Sequence, residues 1–219
     1  LRIAGFEAYP VLIMNGPKKD PEVPQPLFNH AVSCIRLEDG TYILMDATDE
    51  NTPVLFPAYL NNQSYLVASP TGETLLTSPV IPAEQNMMRI DTTGTLDDRG
   101  TLKAQTVLRF DGFNDNAYRT FFSRLSCEER EQYIEKIVMR TAPGGILTSC
   151  EILPVDMLDT SKPIEVRASF EVKNWAITGD DAVMLPMIRF GRSVGMANIL
   201  VGKMGLKQRK YPYVTEVAC

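Results

Sequence analysis

The stretch NHAVSCIRLEDGTYILMDAT, residues 29–48, carries the chain's single histidine, His30, at its head and an aspartate, Asp46, near its end. Two apolar runs flank Glu38-Asp39-Gly40, and a glycine closing a short polar break between such runs marks a β-hairpin. The pattern predicts strands over 31–37 and 41–47. A three-residue loop with Gly40 in the left-handed region makes a type I turn with a bulge. In that register Leu37 faces Thr41, Val32 faces Asp46, and His30 is the diagonal neighbour of Asp46 on the same face. Diagonal neighbours lie about 7–8 Å apart at Cα, within reach of an imidazole and a carboxylate. A two-residue turn at Asp39-Gly40 would put them on opposite faces. The residues therefore permit the pair without forcing it.

The chemistry such a pair serves is orientation of a general base. A carboxylate accepting the imidazole N–H fixes the tautomer and stabilises the imidazolium formed during reaction. The plainer identity, a histidine at the edge of a strand, stays open on the residues alone.

Working outward, residues 1–4 read as the tail of a helix stopped by Gly5, and FEAYPVLIM after it reads as an interior strand. Pro17, Pro21, Pro24 and Pro26 make the following segment an irregular surface loop. SYLVASP, around 64–70, is a further short strand. The stretch with Pro79 and Pro82 reads as a passage between a first domain, 1–80, and a second, 84–219. The second opens with strands over 87–96 and 101–110 around a turn at Asp97-Asp98-Arg99-Gly100. A helical region follows, where Ser126 and Glu129 form a capping box and Tyr133, Ile134, Ile137 and Val138 share one face. Strands return over 146–153, 164–173 and 182–188. The expected class is α+β, the second domain being a β-rich module, a sandwich carrying a helical hairpin. Both termini read as continuing beyond these residues, since YPYVTEVAC still has the character of a strand.

Composition excludes several classes. With 44% hydrophobic and 22% charged residues and a net charge of −5, the 219-residue chain has a globular balance and no basic footprint for nucleic acid. No apolar run reaches the roughly 20 residues of a spanning helix. Four scattered cysteines, Cys34, Cys127, Cys150 and Cys219, lack C-x-x-C spacing, and one histidine argues against a zinc site; no metal or cofactor is expected.

AGFEAYPVLIM followed by FNHAVSCIRLEDGTYILMDATDE resembles the second half of the transglutaminase-like core of bacterial papain-like proteins. Leu1-Arg2-Ile3-Ala4-Gly5, His30, Gly40, Tyr42 (where the family often has Trp), Asp46 and Thr48 fall at matching places, over about residues 1–69. The remainder resembles, more loosely, the β-rich domain of unknown function that follows this core in some bacterial proteins. The resemblance implies the antiparallel-sheet half of a papain-like core, with His30 as base and Asp46 as its orienting acid. It implies a cysteine peptidase or acyltransferase acting on amide bonds of a peptide or protein, in the periplasm or outside the cell. The family's nucleophilic cysteine stands upstream, at the start of the helix whose tail is 1–4. Residues 1–219 alone are therefore expected to be inactive, and to self-associate through the sheet face that helix would cover. The alternative is a non-catalytic binding or structural protein using the fold as scaffold.

Other candidates carry less. Cys34 shares the face of His30, but four residues along a strand is roughly 13 Å. Cys127 opens the capped helix, where a thiol is favoured as thiolate, yet Glu128, Glu129 and Glu131 crowd it. Asp46, Asp49 and Glu50 lack EF-hand spacing and read as turn acids. The glycines at 191, 195, 202 and 205 form no phosphate loop. Trp175 reads as a packing residue at a strand end.

Overall fold

The computed structural model describes residues 1–16 and 28–194. The proline-rich loop, the end of the glycine-rich segment and Cys219 lie outside them. The class is α+β: helices packed with antiparallel sheets.

The first unit is a five-stranded sheet. Residues 1–4 form not an α-helical tail but a single 3-10 turn, Arg2–Ala4, ended by Gly5 at φ 87°. Then come β1 (Ala8–Ile13), β2 (His30–Arg36), β3 (Tyr42–Met45), β4 (Ser64–Val67) and β5 (Leu76–Thr77), ordered β3-β2-β1-β4-β5. Alternation sorts the side chains. Val11, Ile13, Val32, Cys34, Leu44, Tyr65 and Val67 point to one face, where Phe56 and Leu60 close a core over them. On the opposite face Pro10, Leu12, Ala31 and Ile43 are exposed.

The second unit is a four-stranded sheet of β6 (Met88–Leu96), β7 (Leu102–Phe110), β8 (Ile146–Leu153) and β9 (Glu165–Val172), ordered β6-β7-β9-β8. Helices α1 (Gly112–Phe122) and α2 (Cys127–Thr141) cover one face. Leu108, Phe110, Val166 and Phe170 meet Tyr118, Phe122, Ile134, Ile137 and Val138 there. Among the described residues this core is one sheet under a helical layer rather than the expected sandwich of two sheets, because α1 and α2 cover the sheet's apolar face. The capping box forms as expected: Ser126 Oγ accepts from Glu129 N, and Glu129 Oε2 accepts from Ser126 N. Trp175 is buried in this core. The expected strand over 182–188 shrinks to β11 (Val183–Met184), which pairs with β10 (Ile177–Thr178). A one-turn helix α3, Gly191–Val194, follows.

A feature invisible to hydrophobic patterning ties this unit together. Arg119, fully buried, meets Asp115 on the same helix through two hydrogen bonds of 2.9 and 3.1 Å. It also donates to the carbonyls of Met157, Asp159 and Lys162, while Asp115 accepts from Ile164 N. Every polar group of the pair is used, which is what makes a buried ion pair tolerable.

The passage between units is stitched to both. Ser78 and Ile81 bond to residues 60–63 of the first unit. Asn86 then accepts from Phe113 N at 2.9 Å, capping α1 where Asp111 does not, and its carbonyl accepts from Asn114 Nδ2. Gly112 packs so closely on the carbonyl of Gln85 that a Cβ would lie 2.0 Å from that oxygen. Only glycine fits there.

Candidate active site

The 29–48 hairpin takes the three-residue loop. Leu37 N donates to Thr41 O at 2.8 Å, Gly40 N to Leu37 O at 2.9 Å, and Gly40 has φ 83°. Pairs Ser33–Met45 through Arg36–Tyr42 follow, so Asp46 falls on the face of Val32 and His30. Asp39 Oδ1 accepts from Thr41 N and Oγ1, which holds the turn.

His30 opens β2 opposite Ile13, and Asp46 lies just past the end of β3. His30 Nε2 and Asp46 Oδ2 are 2.8 Å apart, with side-chain exposures of 21% and 1%. The carboxylate has three further donors. Thr48 N and Oγ1 bond Oδ1 at 3.0 and 2.7 Å, and the Tyr59 hydroxyl bonds Oδ2 at 2.8 Å. Burial works to raise the Asp46 pKa. Hydrogen bonds from the Thr48 hydroxyl, His30, Thr48 N–H and Tyr59 outweigh it, and the group ends below the ordinary carboxylate value. The Tyr59 hydroxyl is held protonated, its pKa raised first by burial and then by the adjacent Asp46 charge.

An ionised carboxylate only accepts, so Nε2 must carry the proton it shares with Oδ2. In the neutral ring Nδ1 is then the bare, basic nitrogen. Among the described residues no hydrogen bond occupies it. The arrangement is an imidazole with a fixed tautomer, partly open to solvent, whose Nδ1 is the acceptor nitrogen.

The cysteines fall elsewhere. Cys34 is fully buried, and burial pushes its thiol pKa up. Cys150 is pushed up to about 11 by burial and by Glu131. Cys127 is exposed at the first position of α2. No hydrogen bond joins any of these three to His30 among the described residues.

The acids after Asp46 are engaged separately. Asp49 accepts from Asn51 N at 2.9 Å and from Asn116 Nδ2 of α1 at 2.7 Å. No cluster of three or more His, Cys, Asp or Glu side chains suited to a metal occurs among the described residues. Beside the site, Tyr42, Leu44, Leu55, Phe56 and Ile81 line a cavity of about 400 Å³ that reaches Gly112 of α1. The Tyr42 hydroxyl donates to Glu73, and its pKa is pushed up to about 12 by burial and by that carboxylate.

Sequence reasoning paired His30 with Asp46 but missed Tyr59 and Asn116. Tyr59 sits in a 3-10 turn, Ala58–Leu60, thirteen residues past Asp46, with no period linking the two. Asp46-Ala47-Thr48 did carry a signal, because an aspartate bonding the N–H two residues on is an Asx turn. No helix among the described residues is long and apolar enough to cross a membrane. No family model, curated protein or solved structure matches the chain.

Proposed function

We propose that His30 and Asp46 are the general base and orienting acid of a cysteine-dependent, transglutaminase-like peptidase or acyltransferase acting on amide bonds of a peptide or protein. The observation that carries the reading is the 2.8 Å contact of His30 Nε2 with a buried carboxylate that three other donors hold in place. A histidine merely at a strand edge needs no such support. The resemblance supplies the nucleophile, a cysteine on a segment before Leu1.

The reaction follows from the tautomer. The thiol proton passes to Nδ1 and the sulfur attacks the carbonyl carbon. The C–N bond then breaks as Nδ1–H gives its proton to the leaving amine, and water or an amine attacks the thioester in the reverse sense. Nε2–H stays on Asp46 throughout, so the carboxylate stabilises the imidazolium without itself being protonated. Residues 1–219 alone would not turn over substrate. Export to the periplasm or cell exterior goes with this reading.

The test is labelling of the chain, as its gene encodes it, with a thiol-reactive peptide probe. Labelling of one cysteine before Leu1, lost in His30→Ala, is expected; labelling indifferent to His30, or none, overturns the reading. The scaffold alternative draws on the lack of any described cysteine bonded to His30, and it predicts the second outcome. Self-association through the face of Leu12 and Ile43 belongs to the same proposal, and light scattering over a concentration series tests it.

A further inference from the structure

Each oxygen of the Asp46 carboxylate accepts two donors. Oδ1 takes both groups of Thr48, and Oδ2 takes His30 Nε2–H and the Tyr59 hydroxyl, each at 2.8 Å. A carboxylate has about four lone-pair sites, so all are filled, and with 1% exposure the side chain draws on no bulk water. The Thr48 pair already holds Oδ1, and His30 already holds Oδ2. The contribution of Tyr59 is therefore not orientation alone. Two donors on one oxygen compete, because each neutralises part of the charge that attracts the other.

From this geometry we infer that Tyr59 is a positioning residue that moderates the hold of Asp46 on His30. It caps the negative charge at Oδ2, keeping the carboxylate ionised while weakening the Nε2–H···Oδ2 bond. The inference rests on the reading of His30 and Asp46 as base and orienting acid. In that reading an imidazolium held too tightly would surrender its Nδ1 proton to the leaving amine reluctantly. Two properties of Tyr59 suit it to this role. Its ring is anchored in the 3-10 turn beside buried Ala58 and Leu60, and its hydroxyl stays protonated, and so remains a donor. A phenylalanine would pack alike and donate nothing.

Because the chain has one histidine, a proton spectrum of ring-¹⁵N-labelled protein shows a single imidazole Nε2–H. In the unmodified chain that resonance should stand well downfield and exchange slowly with water. In Tyr59→Phe it should move further downfield and exchange more slowly still, since Oδ2 regains the charge the hydroxyl neutralised. An unchanged or upfield position in a folded Tyr59→Phe overturns the inference and leaves the dyad intact. Absence of the downfield resonance from the unmodified chain instead removes the dyad itself, so the two failures are told apart. If Tyr59→Phe fails to fold, the unmodified chain still decides. A Tyr59 hydroxyl proton protected from exchange and close to Thr48 supports the shared oxygen, and a freely exchanging one overturns it.

Discussion

At the scale of the residue, Asp46 shows how a buried charge is kept. Burial acts to raise its pKa, and four donated hydrogen bonds outweigh that and leave it below the ordinary carboxylate value. The sign of the pH dependence follows. A carboxyl whose folded pKa lies below its unfolded value contributes stability that is present above the unfolded value, and that is lost as pH falls through the folded one. Thr48→Val removes one donor to Oδ1 and brings the two values closer. Urea unfolding should show the variant about 1.5–3 kcal/mol less stable at neutral pH, the range for a hydrogen bond to a charged group. Its further loss on acidification should be shallower than in the unmodified chain; equal acid slopes would count against the role given to Thr48. Much of this site was legible in advance. Gly40 with its polar neighbours marked the hairpin but left two registers open; in the three-residue loop that forms, period-two alternation puts His30 and Asp46 on one face. Tyr59 was not legible, because a loop of irregular backbone brings it back to the carboxylate and irregular backbone leaves no periodic trace.

Among elements, the strands and α2 repeat the lesson, while α1 departs from it. Ser126 and Glu129 announce the start of α2 through a local rule, and the structure makes both bonds of the capping box. The Glu129 carboxyl is lowered by the bond from Ser126 N–H, so it is a charged acceptor at neutral pH. Ser126→Ala should cost about 1 kcal/mol in urea unfolding, and Glu129→Gln less, since a neutral side chain can still accept. In α1 the pair Asp115 and Arg119 has the spacing of an ordinary solvated ladder, yet both side chains are fully buried. Sequence spacing does not separate the two cases, because what buries Arg119 is a loop some forty residues on, whose carbonyls it binds. The consequence differs in size. Arg119→Ala leaves Asp115 charged, buried and half-partnered, and should cost about 3–5 kcal/mol. Replacing both residues by apolar ones should cost less than that single change, and a double variant weaker than Arg119→Ala would show that the pair is not acting as one buried unit.

For the whole molecule, the question is whether two sheets make two proteins or one. The proline-punctuated passage stood out in the sequence, but its role as a joint did not, since Asn86 carries no motif for capping a helix that starts 26 residues later. Asn86 serves as the cap of α1, Gly112 admits the close approach, and Asn116 reaches back to Asp49, three residues beyond the acid of the site. Loosening this joint frees the start of α1 and the loop that follows Asp46 together. The chain supplies its own two probes, because its single tryptophan, Trp175, is buried in the second core and its single histidine lies in the first unit. Denaturation of the unmodified chain should give one midpoint by Trp175 fluorescence and by the His30 ring resonance. Asn86→Ala removes the cap and should lower the Trp175 midpoint by the equivalent of about 1 kcal/mol, separating it from the His30 midpoint. Midpoints that differ in the unmodified chain would mean that the units unfold independently, and the site would then owe nothing to the helical layer behind it.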